Sequence, residues 1–354
     1  MALPMTSGDI AVAVPPPTDA TIDTRAWQKQ AARFRERSVR QGAAQLATTL
    51  LPLAGLFVLM YFSLGYSYWL TLALAPIAAG FQIRTFIIMH DCSHGSFVPS
   101  KRANEILGFI TGLITMFPFA QWRREHAIHH ASSGDLDRRG HGDVATLTVS
   151  EYLALDKKGR LKYRIFRSPI SLFVIGPLYL WWNNRVPSSG DDPNPPHAVG
   201  VHAANVLLVL IAVLIHFTIG LGAALAIYFP VYMLAGSAGI WLFYVQHQFE
   251  DTYWRDHEEW DYATSAMHGS SYYRLPRVLE WMTGSIGLHH VHHLDPRIPN
   301  YHLRRAHESA VEFSKVPTLT IRDSLRSVNL KLWDEEENRL VGFAAARRRE
   351  KRSL

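Results

Sequence analysis

Gln41–Ile83 reads QGAAQLATTLLPLAGLFVLMYFSLGYSYWLTLALAPIAAGFQI, 43 residues without one Asp, Glu, Lys or Arg. A bilayer core takes about 20 apolar residues per helical span, so this stretch has room for two, and Ser63-Leu64-Gly65-Tyr66 supplies a break near its middle. Pro193–Phe249 repeats the pattern with 57 uncharged residues and a break at Thr218-Ile219-Gly220-Leu221-Gly222. Two helical hairpins are expected, 45–63 with 67–88 and 201–217 with 222–245. The fold class is then an all-α integral membrane protein with four transmembrane helices.

Two shorter uncharged stretches, Ile106–Trp122 and Ser168–Asn184, have 17 residues each. The first carries Gly108, Gly112 and Pro118, the second Pro169 and Gly176-Pro177, so neither reads as an unbroken span. Both are expected to be interfacial or re-entrant helices.

Three histidine clusters lie outside the long apolar runs: His90-Asp91-Cys92-Ser93-His94, His126-Ala127-Ile128-His129-His130 and His289-His290-Val291-His292-His293. They hold half of the chain's 18 histidines. Residues three or four apart share a helix face, so each cluster aims two or three imidazoles at one place. Concentrated neutral nitrogen donors suit zinc, iron, copper or nickel, and their number is about twice what one ordinary ion needs. A pair of metal ions is expected. The ligands must meet on one side of the membrane, which the first two clusters can do only if Ile106–Trp122 does not cross, and the third only if Ser168–Asn184 does not.

Charge gives that side. Arg25, Lys29, Arg33, Arg35, Arg37 and Arg40 precede the first hairpin, and neither hairpin turn carries a charge. By the positive-inside rule both termini and the clusters are cytoplasmic. The net charge of +6 and the closing run Arg347-Arg348-Arg349-Glu350-Lys351-Arg352 suit anionic headgroups or a solvated end, with no need of nucleic acid. Met1–Ala20, with Pro15-Pro16-Pro17, has no signal-peptide pattern and is expected to be disordered. The expected organisation is a cytoplasmic tail over 1–40, a membrane and metal domain over 41–312, and a C-terminal extension over 313–354. Cys92, the single cysteine, excludes an internal disulfide and is read as filler rather than ligand.

A His-x-x-x-His pair also occurs in zinc proteases, but those follow the first histidine with Glu, and here the residue is Asp91. A metal transporter would place ligands near the bilayer midplane on broken helices, whereas these clusters begin past the span ends. The motifs His-Asp-Cys-x-His-Gly-Ser-Phe at 90–97, Trp-Arg-x-x-His-x-x-His-His at 122–130 and His-His-Val-His-His-Leu at 289–294 resemble the membrane fatty acid desaturases, in particular bacterial acyl-lipid desaturases. The likeness extends through Gly134–Gly140, Gly142–Val144, Tyr244–Glu250 and Gly269–Tyr273. It also takes in Leu330–Asp334 with Leu340–Phe343, which reads as a strand-turn-strand.

That resemblance implies a cytoplasmic di-iron centre that inserts a cis double bond into an acyl chain using O2 and two electrons. The implied iron ligands are His90, His94, His126, His129, His130, His289, His292 and His293, with His247 as a ninth. His290 points about 100° away from His289 on a helix and is expected to be a spectator. His216, inside the third expected span, is read as a bundle or interface residue, and His141, His257, His268, His302 and His307 lack ligand-like spacing among themselves. Among acidic residues near the clusters, Glu125, Asp135 and Asp143 included, Asp91 and Asp137 are favoured as groups that orient ligands. Hydroxylases, ketolases and conjugases share the same scaffold and remain alternatives. Gly236-Ser237-Ala238-Gly239 either opens a channel for the acyl chain or lets helices pack closely. With no fused haem signature and no cysteine set for an iron-sulfur centre, the electrons are expected from an external ferredoxin or cytochrome. Acyl lipid and membrane lipids complete the expected partners, and the bacterial cytoplasmic membrane is the expected location.

Overall fold

The computed structural model describes residues 24–140, 144–188 and 195–352. The expected disordered segment and the candidates His141 and Asp143 lie outside the described residues. Four helices are long and apolar enough to cross a membrane: α2 (Val39–Leu64), α3 (Tyr68–Ser93), α9 (Ala198–Thr218) and α10 (Leu221–His247). Ahead of them lies α1 (Thr24–Ala31), and between the hairpins come α4 (Lys101–Thr115), α5 (Phe119–Ser132), α6 (Val149–Ala154), α7 (Lys157–Phe166) and α8 (Gly176–Asn183). After α10 follow α11 (Tyr262–His268), α12 (Arg277–Met282), α13 (His289–Leu294), α14 (Asn300–His307), α15 (Val311–Ser314), α16 (Ile321–Ser327) and α17 (Phe343–Arg352).

The four spans cover the two long uncharged stretches; α3 runs past the end of the first, through Arg84, to carry His90, whereas α10 ends at His247 inside the second. Helix α3 is the central span and half buried within the protein, whereas α9 buries little and turns Val206, Val209, Leu210, Leu214 and Phe217 outward. Such side chains are solvated by lipid tails as well as by protein.

Neither 17-residue stretch is a straight span. Helices α4 and α5 meet at 99°, and α7 meets the 171–183 segment at 57°. Met116, left-handed at φ 65°, ends α4, and Pro118 starts α5. Backbone carbonyls at such a break need partners inside the protein, because lipid offers none. Ile114 O accepts from Tyr228 Oη at 2.6 Å and Gln82 Nε2 at 2.8 Å, and Met116 O accepts from Arg185 Nη2 at 2.6 Å. Three distant side chains thus hold the elbow that returns the chain toward the second histidine cluster.

The elbow also needs a glycine. A Cβ at Gly108 would sit 2.3 Å from Phe119 Cε2, and Phe119 is buried. Gly108→Ala is expected to destabilise the fold by about 1–3 kcal/mol, the usual cost of overpacking. Thermal unfolding in detergent reads this, and an unchanged midpoint would contradict it. At Gly236 a Cβ would lie 2.9 Å from Pro177 Cβ, and Ser237 Oγ donates to Phe173 O at 2.5 Å. Of the two uses expected for Gly236–Gly239, Gly236 and Ser237 show close helix packing, whereas a Cβ at Gly239 would meet nothing within 4 Å.

The C-terminal strand-turn-strand forms as expected, β2 (Leu332–Asp334) pairing antiparallel with β3 (Arg339–Val341), but β1 (Leu147–Thr148) joins it in parallel, Leu147 opposite Leu332. Two residues carry too little pattern for such a strand to be legible. Arg167, fully buried, clamps this part to the rest, donating to Thr146 Oγ1, Gln248 Oε1 and Leu330 O. Residues 24–34, expected within the tail, form α1 and a 3₁₀ turn, and Trp27 and Phe34 pack against the core of α11, α13 and α14.

Candidate metal centre

Nine histidines converge at the ends of α3 and α10, in two groups, and within each group the ligand nitrogens lie within 4.8 Å of one another. One group is His90, His94, His126, His130 and His292; the other is His129, His247, His289 and His293. Every histidine expected as a ligand is in one of them. His290 is in neither: it turns away, with Nε2 3.1 Å from His307 Nδ1.

Helical geometry explains the division. Residues four apart differ by about 40° around a helix and neighbours by about 100°. On α5, His126 and His130 therefore serve the first group while His129 swings to the second. On α13 the assignment reverses, His289 and His293 serving the second group and His292 the first. The two helices each divide their imidazoles, and the groups touch where His130 and His293 stack with ring centroids 4.2 Å apart. His90 comes from the last turn of α3, His94 from its C-cap, and His247 from the last turn of α10.

The nitrogen contacts are ones that a bound cation could satisfy. His292 Nε2 lies 3.1 Å from His90 Nε2 and 2.9 Å from His130 Nε2, itself 3.2 Å from His126 Nε2. In the second group, His289 Nε2 is 3.0 Å from His247 Nε2 and 3.1 Å from His293 Nε2. A neutral imidazole nitrogen has one hydrogen or one lone pair, so successive contacts of this kind cannot all be ordinary hydrogen bonds. Lone pairs directed at a shared cation satisfy them together. His94 Nε2 is buried without a hydrogen-bond partner, which the same cation would provide. All-imidazole sets of five and four fit transition-metal ions.

Burial, and after it the neighbouring imidazoles, pushes His94, His126, His130, His289, His292 and His293 well below the usual histidine range. The lone pairs are therefore free for a metal at neutral pH. In the unfolded chain these groups take up protons near pH 6.5, and in the folded chain they resist protonation. Their contribution to stability is present above pH 6.5 and lost as pH falls below it. Metal-free protein is expected to melt at a lower temperature at pH 5.5 than at pH 8, and equal melting temperatures would contradict this.

Two groups fix imidazole orientation. His90 Nδ1 faces Asp91 Oδ1 at 3.1 Å, and Asp91 Oδ2 accepts from Asn300 N at 2.7 Å and Asn300 Nδ2 at 2.8 Å. His247 Nδ1 lies 3.2 Å from Gly269 O. In each case a hydrogen on Nδ1 leaves the Nε2 lone pair for the centre. Asp91 is thus brought to the cluster as expected.

Asp137 is not. It is exposed, and its Oδ2 accepts from His257 N at 2.9 Å, because the chain turns away from α5 at Gly134, φ +77°. Asp135 Oδ2 likewise meets His257 Nδ1 at 2.8 Å. Cys92 is buried among Ile88, Met89 and Phe97, His216 lies exposed on α9, and neither joins a metal group. Asn300 and the Gly269 carbonyl could not be read from the sequence: one lies about 210 positions from Asp91 and the other is backbone.

Aromatic side chains wall the centre. Trp122 stacks on His126 at 5.0 Å and meets Phe86 and Phe117 edge to face, while Phe243 lies 4.9 Å from His129.

A family model described as fatty acid desaturase matches residues 67–322. A fatty acid desaturase of Bacillus subtilis (strain 168) is 45% identical over 331 residues, covering 93% of this chain and 94% of the relative. An sn-1 oleoyl-lipid 12-desaturase of Synechocystis is 25% identical over 79% of this chain and 78% of its own length. An sn-2 acyl-lipid omega-3 desaturase (ferredoxin) of Arabidopsis thaliana is 29% identical over 68% of this chain and 55% of the relative.

Proposed function

Because the chain belongs to the fatty acid desaturase family, we propose that it introduces a cis double bond into the acyl chain of a membrane lipid, using two histidine-bound iron ions, O2 and external electrons. The observation that carries this reading is the gathering of nine imidazoles into groups of five and four beside four candidate spans. In the balanced reaction, –CH2–CH2– with O2, two electrons and two protons gives –CH=CH– and two waters.

Bound iron would supply the oxidant that an unactivated methylene requires, since no side chain can. His90, His94, His126, His130 and His292 would hold one ion, and His129, His247, His289 and His293 the other. Asp91 and the Gly269 carbonyl keep the hydrogens of His90 and His247 on Nδ1, and so their Nε2 lone pairs directed inward. Trp122, Phe86, Phe117 and Phe243 keep water from the side on which an acyl chain approaches through the spans.

The acyl-lipid substrate is supported by the lipid-linked desaturase names of the Synechocystis and Arabidopsis relatives, and a ferredoxin-type donor by the latter. The histidine-bearing end also carries α1 with its basic residues, since Gln30 Nε2 donates to Ser309 Oγ at 3.0 Å and Arg35 pairs with Asp295. The positive-inside rule makes that end cytoplasmic, in a bacterial cytoplasmic membrane.

The test is expression in a bacterial host without desaturases, followed by mass spectrometry of its membrane lipids. A new double bond in phospholipid acyl chains is the expected result. Hydroxylated chains without new unsaturation would overturn the reading in favour of a hydroxylase on the same scaffold.

A further inference from the structure

Helix α1 lies over the metal centre's outer cap and has two unlike faces. Trp27 and Gln30 point inward, and Arg25, Lys29 and, just beyond the helix, Arg33 form an exposed stripe at four-residue spacing. Arg25 and Lys29 form no ion pair among the described residues, and Arg33 donates only to Gln30 Oε1, at 3.1 Å. Beside the stripe is an open cavity of about 750 Å³ lined by Trp27, Gln30, Arg33, Ser309, Glu312 and Phe313. Within the cavity lining Arg33 is balanced by Glu312, and the basic excess of this surface comes from Arg25 and Lys29 on the adjoining stripe.

The cavity floor leads inward. The Trp27 ring lies 6.3 Å from the ring of His268, centroid to centroid. His268 is buried and bonded through the chain to Gly269, whose carbonyl oxygen lies 3.2 Å from His247 Nδ1. His247 belongs to the four-histidine group. A short run of aromatic rings, one peptide unit and one hydrogen bond therefore joins this surface to the centre.

We infer that the α1 face, Arg25, Lys29 and Arg33 around Trp27, is the docking surface for an acidic one-electron carrier protein, with Trp27, His268 and Gly269 as the route to His247. The inference rests on the desaturase reading, which requires two electrons per double bond. The carrier is oxidised once at each of two successive dockings, and the two electrons with two protons complete the reduction of O2 to two waters. Electron-transfer encounters of this kind use small interfaces, and opposed charge raises their association rate more than their final affinity. A stripe of cations around one aromatic contact suits that use.

The test uses the full-length protein in lipid nanodiscs. Reduced plant-type ferredoxin serves as the acidic carrier, and photoreduced methyl viologen as a small carrier that needs no protein interface. Charge reversal by R25E/K29E/R33E is expected to raise the KM for ferredoxin by about tenfold or more at low salt. It should also remove most of the wild type's salt dependence, leaving metal content and the viologen-driven rate unchanged. A wild-type KM and salt dependence in the variant would overturn the docking surface. If the triple variant fails to purify with metal, Lys29→Glu at its exposed position is read the same way, with a smaller shift. Wild-type product with viologen and none with ferredoxin also overturns the docking surface. No product with either carrier overturns the desaturase reading itself.

Discussion

Replacing His129 with alanine is expected to lower the iron content from two ions per chain to one and to reduce product below about one-hundredth of the wild-type level. Even a group that only orients a ligand costs about 10–100-fold when removed, and His129 is proposed to bind directly. It is the one imidazole that α5 sends to the four-histidine group, which would keep only His247, His289 and His293. The five-histidine group loses nothing, so the deficit should be one ion and not two. His290→Ala makes the contrast: His290 faces His307, and its removal should leave two ions bound. Metal analysis of the purified variants separates these outcomes, and full iron content in the His129 variant would remove it from the ligand set.

The second large effect is expected at Asp91. Its carboxylate is buried, faces His90 with one oxygen and accepts two N–H groups of Asn300 with the other. An amide has a single acceptor oxygen. Asp91→Asn must therefore either release His90 Nδ1 or turn its own NH2 toward the donors of Asn300. Iron affinity is expected to fall about 10–100-fold, measured as iron retained against increasing chelator. Asp137→Asn, at an exposed position bonded to the His257 backbone, should retain iron like the wild type. The opposite ranking of the two variants would refute the orientation assigned to Asp91.

What the sequence made legible follows from how each feature is encoded. Uncharged stretches of 43 and 57 residues are a one-dimensional signal, so four candidate spans could be read directly. The requirement that three histidine clusters meet kept Ile106–Trp122 and Ser168–Asn184 from being read as spans; the chain bends by 99° within the first and by 57° where α7 leads into the second. The exclusion of His290 needed only helical periodicity. The same periodicity, applied to α5 and α13 together, contains the reciprocal division into five and four, provided one knows that the two helices face each other.

Other features depend on pairs far apart in the chain. Gln82 of α3 and Tyr228 of α10 meet at Ile114 near the end of α4, and Arg185, just past α8, reaches Met116. Proximity in sequence misled at Asp137, where one left-handed glycine redirects the loop. It also hid Asn300, whose link to Asp91 exists only once α14 is packed against the end of α3. The third strand at Leu147–Thr148 is too short to announce itself by alternation.

The most direct measurement of the central claim is anomalous diffraction at the iron edge from crystals of the iron-loaded, full-length protein. Two separate peaks are predicted, one bounded by His90, His94, His126, His130 and His292 and the other by His129, His247, His289 and His293. A single peak, or an ion coordinated by His290 or held away from these groups, would contradict the account.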